Sequence, residues 1–125
     1  MAAAEAVKSD EWDFAVNPGH LIHLDEWVSS PFFRGSSIAL KPGYAIQRDI
    51  IPVPRRGAAV VNMEDGFVLA DDDLQQGLQH LDPEMMKRCQ ARRTLMEKLG
   101  YELPSDVLPL SNIAGVFFPF LLNAA

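Results

Sequence analysis

Three short polar segments interrupt otherwise apolar runs: Asn17-Pro18-Gly19-His20, Gln47-Arg48-Asp49 and Asn62-Met63-Glu64-Asp65. They contribute one imidazole and two carboxylates, His20, Asp49 and Glu64, each at the edge of an extended run. Divalent ions such as manganese, cobalt or zinc accept carboxylate oxygen together with neutral imidazole nitrogen, and bridging carboxylates hold two ions at once. A pair of ions lowers the pKa of bridging water and polarises a carbonyl, which is the chemistry of amide hydrolysis. The pattern points to a metal site built across a sheet. An acidic chain also carries His, Asp and Glu on strands merely for solvation, so spacing alone leaves both readings open.

Such a site needs strands to hold it. Phe14 to Asp25 reads as one extended run passing through Pro18-Gly19, and Trp27 to Leu40 reads as a loop. Lys41-Pro42-Gly43 is a turn signal leading into a strand from Tyr44 to Ile51, which Pro52 and Pro54 should end. Ala58 to Met63 and Phe67 to Ala70 are two more predicted strands, with Asp65-Gly66 marking a bulge or tight turn between them. Side chains on a strand alternate faces. His20 therefore shares a face with Ile22, Leu24 and Glu26, with His23 and Asp25 opposite; Gln47 lies with Asp49, and Asn62 with Glu64.

Helical periodicity takes over after Asp71. Asp72 or Asp73 can cap a short helix running through His80, and Asp82-Pro83 has the pattern of an N-cap followed by proline in the first turn. Met85, Cys89, Arg92, Met96 and Leu99 trace one stripe, and Gly100 supplies a C-terminal stop. Lys87, Arg88, Arg92, Arg93 and Lys98 on this helix read as a solvated face rather than as a site for an anionic partner. Met1 to Lys8 reads as the last turns of an earlier helix. The fold class is α+β within one domain over 1–125, with a sheet portion over 1–71 and a helical segment plus apolar tail over 72–125.

Composition narrows the function classes. A chain of 125 residues with 48% apolar residues buries a modest core. A net charge of -6 disfavours nucleic acid as a partner, because a phosphate backbone rewards positive potential. Cys89 is the single cysteine, which permits neither an internal disulfide nor a cysteine-based zinc site and fits a reducing, cytoplasmic setting. The apolar tail from Val107 to Leu122 is interrupted by Pro109, Gly115 and Pro119 and reads as packing rather than as a membrane span.

The motifs carry a resemblance. Gly19-His20, the turn Leu40-Lys41-Pro42-Gly43-Tyr44, the strand through Asp49 and the segment Met63-Glu64-Asp65-Gly66-Phe67-Val68-Leu69 resemble, in order and spacing, the C-terminal half of the pita-bread metallopeptidases. That superfamily includes methionine aminopeptidase, Xaa-Pro aminopeptidase, prolidase and creatinase, and the wording is most similar to the Xaa-Pro aminopeptidase branch. The resemblance covers roughly the first 70 residues and implies half of a pita-bread fold, an antiparallel curved sheet followed by C-terminal helices.

The resemblance also implies roles. His20 corresponds to the histidine metal ligand and Glu64 to the final, bridging glutamate, which also serves in catalysis; Asp49 stands where a glutamate ligand is usual. The second histidine of the family falls at Trp27 here, leaving His23 or Glu26 as substitutes for its catalytic role. The two remaining ligands, aspartates on a hairpin, would precede Met1, since Asp10 and Asp13 sit on the connection into the His20 strand. The implied activity is metal-dependent aminopeptidase or dipeptidase chemistry on a peptide substrate, incomplete in this chain alone. The alternatives are a non-catalytic peptide- or partner-binding module, or a structural remnant of that fold. Half of such a fold exposes a sheet edge, so a homo-oligomer, or a partner chain supplying the other half, is expected.

Overall fold

The computed structural model describes residues 10–14, 18–22, 28–56 and 63–111. The helix predicted over Met1 to Lys8, the segment Ala58 to Asn62 and the tail beyond Ser111 lie outside the described residues. So do His23, Glu26 and Trp27.

Among the described residues six strands and two helices occur in the order β1 (Trp12–Phe14), β2 (His20–Leu21), β3 (Ala45–Ile50), β4 (Pro52–Pro54), β5 (Met63–Leu69), α1 (Asp72–Leu81), α2 (Pro83–Lys98) and β6 (Val107–Pro109). Strands β2, β3, β5 and β6 form one antiparallel sheet in that spatial order, while β1 and β4 form a separate antiparallel pair. The α+β class predicted from the periodicity switch near Asp71 is what the chain adopts. No described helix is long and apolar enough to cross a membrane.

Local chemistry sets the element ends. At Lys41-Pro42-Gly43-Tyr44 the Tyr44 N–H donates to the Lys41 carbonyl at 3.2 Å. Gly43 has φ 88, which gives the proline-then-glycine turn that delivers the chain into β3. Asp82 caps α2 through its carboxylate, which accepts from the Met85 N–H at 2.8 Å, with Pro83 behind it. At the other end Gly100, with φ 88, closes the helix: its N–H donates to Glu97 O and that of Tyr101 to Met96 O, the paired bonds of a Schellman motif.

Three expectations need correction, and a fourth needs an addition. The extended run through Pro18-Gly19 is not one strand, because Phe14 pairs with Pro52 in β1–β4 whereas His20 pairs with Gln47 in β2–β3. The strand from Tyr44 does stop before Pro52, since β3 ends at Ile50, but Pro52 to Pro54 then form a separate short strand paired with β1, where a missing N–H is tolerated. Asp65-Gly66 is no bulge, since β5 runs in one-to-one register with β3 from Met63 opposite Ile50 to Val68 opposite Ala45. The cap of α1 is Asp71, whose carboxylate accepts from the Leu74 N–H at 3.0 Å. Asp72 and Asp73 instead lie in the first turn, near the positive end of the helix dipole.

The helices cover one face of the sheet at one end. Ala70, Cys89 and Leu108 are buried there, with Val68, Leu74, Leu78, Met85, Met86 and Leu110 packed around them. Register places Val68 opposite Leu108 and Ala45, so this face also carries Gln47, Asp49, Glu64, Gly66 and His20 farther along the strands. Of the predicted stripe on α2, Cys89 is buried and Met85, Arg92 and Met96 are half-buried, whereas Leu99 is exposed.

Arg93 departs from the solvated face predicted for the basic residues of α2. Its guanidinium donates to the carbonyls of Leu103 at 3.0 Å and Pro104 at 2.7 Å, and also to that of Val107. One planar fork thus gathers the chain that leads into β6. Arg93→Ala is expected to lower stability by about 2 kcal/mol, the scale of hydrogen bonds to a charged donor, read as a shift of the urea midpoint. Arg93→Lys should recover only part of that, because an ammonium lacks the fork.

Candidate functional site

The register brings the predicted residues onto one face. Asp49 in β3 stands directly opposite Glu64 in β5, and His20 in β2 stands directly opposite Gln47 in β3. Directly opposed residues have Cα atoms about 5 Å apart, and diagonal neighbours such as His20 and Asp49 are roughly 7–8 Å apart. Glu64 and His20 therefore flank Asp49, which occupies the middle strand of the three.

Each side chain has a distinct setting. Asp49 is buried, at 7% exposure, while Gln47 and His20 are half-buried and Glu64 is exposed. Asp49 Oδ1 has no hydrogen-bond partner among the described residues. Its carboxyl is pushed above the usual carboxylate range by burial first and by the nearby Glu64 second, with His20 pulling in the opposite direction. The Gln47 side-chain amide donates from Nε2 to Glu64 Oε2 at 3.1 Å. His20 Nδ1 lies 3.1 Å from the Leu21 carbonyl. A carbonyl only accepts, so this contact is made by an Nδ1–H, an arrangement that leaves Nε2 as the ring nitrogen available to any ligand.

The adjacent register pair shows what is unusual here. Arg48 stands opposite Asp65 on the other face, and the two form an ion pair at 2.8 Å. Asp65 also accepts from the Ser111 hydroxyl at 3.1 Å. One step along, Asp49 faces a like charge instead, an arrangement that costs stability.

Backbone contacts fix the approach of His20. The Asp49 N–H donates to the Pro18 carbonyl at 3.2 Å, and the Ser30 hydroxyl donates to the Gly19 carbonyl at 2.6 Å. Gly19 lies so close to β3 that a Cβ there would stand 2.6 Å from the Gln47 carbonyl oxygen.

The donor chemistry, one imidazole and two carboxylates with an unpartnered buried oxygen, fits a divalent ion. Among the described residues, no three His, Cys, Asp or Glu side chains already form a cluster that could hold one. His20, Asp49 and Glu64 share a face without closing on a common point. Asp13 lies in β1, outside this sheet, and pairs with Arg55 at 3.3 Å. His23 lies outside the described residues. The face contains two residues given no role from the sequence, Gln47 and Gly66. Strand alternation already placed Gln47 beside Asp49, whereas Gly66 reads locally as a breaker.

No protein-family model, curated protein or solved structure matches this chain.

Proposed function

We propose that the chain carries a divalent-metal site of the metalloaminopeptidase kind on His20, Asp49 and Glu64, with a peptide as its substrate. The observation that supports it most is Asp49: a buried carboxylate oxygen without a partner among the described residues, set opposite a second carboxylate. A purely structural sheet has no use for that pair, which a cation would stabilise. Bound there, the ion would supply a water of lowered pKa and a polarised peptide carbonyl. The protein side divides the work. Asp49 holds negative charge in the drier middle of the face, His20 offers Nε2 from the neighbouring strand, and exposed Glu64 is the member of the pair that can exchange a proton with solvent or substrate.

A second ion would need donors that the described residues do not offer, and a second copy or a partner chain is their source in this proposal. That the three donors share a face without closing on a common point favours a second reading, a peptide- or partner-binding module without hydrolysis.

Metal retention tests the first. The dialysed chain is expected to keep manganese, cobalt or zinc, and His20→Ala and Glu64→Ala are each expected to lose it while the far-ultraviolet circular dichroism stays unchanged. Equal retention by all three proteins would remove the metal site. Metal-dependent release of proline from an Xaa-Pro dipeptide then separates hydrolysis from binding alone.

A further inference from the structure

Gln47 is the polar side chain on this face that is neither an expected ligand nor solvent-exposed. It stands opposite His20, lies two residues from Asp49, and reaches diagonally across to Glu64. The path of that reach crosses Gly66, its direct partner on β5. A Cβ at position 66 would lie 3.3 Å from Gln47 Oε1, tighter than ordinary contact, and 3.7 Å from both Ile22 Cδ1 and Leu110 Cβ. Two apolar side chains thus flank the space over Gly66, and the absent side chain there leaves room for the Gln47 amide.

We infer that Gln47 is a positioning residue: its amide, seated over Gly66, fixes the orientation in which Glu64 presents its carboxylate beside Asp49. The inference rests on the metal reading of the site and adds the residue pair that would set its affinity. An amide donor suits the task. It binds one carboxylate oxygen and fixes the plane of the group without supplying the full positive charge that would compete with a cation. Hydrogen-bonding partners of ligands typically govern metal affinity by 10–100-fold. A side chain at position 66 would meet the Gln47 amide, so the two positions should be coupled rather than independent.

A double-mutant cycle on the full chain, titrated with manganese ion alone, tests this. Gln47→Leu removes the donor at similar volume and is expected to weaken manganese binding about tenfold or more. Gly66→Ala alters no polar group, and is expected to weaken binding in the same direction by less, while the melting temperature stays level or rises, since glycine inside a strand is unfavourable. In the Gln47→Leu background, Gly66→Ala should change affinity no further. Additive losses, or a Gln47→Leu chain that binds manganese as well as the parent, would overturn the positioning role and leave the metal site standing. A parent chain that binds no manganese would overturn both. If Gln47→Leu fails to fold, the affinity of Gly66→Ala decides the matter, because unchanged binding there overturns the coupling.

Discussion

Asp49→Asn is expected to raise the melting temperature at pH 7 and to abolish divalent-metal retention in the same protein. The folded chain holds the Asp49 proton more tightly than the unfolded chain does, because burial and then Glu64 raise its pKa above the ordinary 3.8, against the pull of His20. Between the unfolded and folded values the native state binds more protons, so this group's contribution to stability falls as pH rises, and its full cost is present above the folded value. Asparagine keeps the shape and has no such titration. The gain from Asp49→Asn should therefore be largest at neutral pH, shrink as pH falls through the raised value, and vanish below about pH 4. Its size should be about 1 kcal/mol, the lower end for a buried polar group without a partner.

The metal half of the experiment has the opposite sign. Saturating manganese should stabilise the parent chain by mass action and leave the asparagine variant unmoved. A buried charge that lowers stability and supports binding is the usual exchange at a functional site. If Asp49→Asn is less stable than the parent at pH 7 and manganese shifts neither, Asp49 is a structural carboxylate and the proposed site has no basis. Paired melting curves from pH 4 to pH 8, with and without manganese, measure both halves.

Part of this was legible in the text of the chain. Strand alternation alone placed Gln47 with Asp49, and the register confirms that Glu64 and His20 join them on that face. Asp82-Pro83 and Lys41-Pro42-Gly43 were legible because the residues that decide a cap or a turn are adjacent. Sequence does not single out Asp71 over Asp72 or Asp73, because three consecutive aspartates have equal capping chemistry and which one caps depends on where the chain leaves β5. Gly66 read as a break because its reason lies across the sheet, in the side chain of Gln47. Arg93 read as solvated for a similar reason, since its carbonyl partners are ten or more residues away. Interactions local in sequence show in sequence; those that join strands or span a loop do not. The site itself is of the second kind, and only its donor types and their parity could be read in advance.

Gly19→Ala is expected to be the most damaging single substitution at the site, although it touches no ligand. The added Cβ would stand 2.6 Å from the Gln47 carbonyl oxygen and 3.4 Å from Arg48 Cα. Both are backbone atoms of the central strand, so no side-chain rotation relieves the overlap and either β3 or the 18–20 segment must move. Movement there breaks the Asp49 N–H bond to Pro18 and the Ser30 bond to the Gly19 carbonyl. It also takes His20 out of register with Gln47. A backbone clash combined with lost hydrogen bonds belongs to the severe class of substitutions, about 3 kcal/mol, or roughly 10 °C in melting temperature for a chain of this size. Hydrogen exchange localises the effect: the Asp49 and Ile22 amides, which donate to Pro18 and Ala45, should lose protection. The α2 amides, in the helix that packs against β6 at the opposite edge of the sheet from β2, should keep protection relative to global unfolding. Unaltered protection at Asp49 would show that the 18–20 segment is not what holds β2 against β3. His20 would then be placed by something other than the close backbone contact at Gly19.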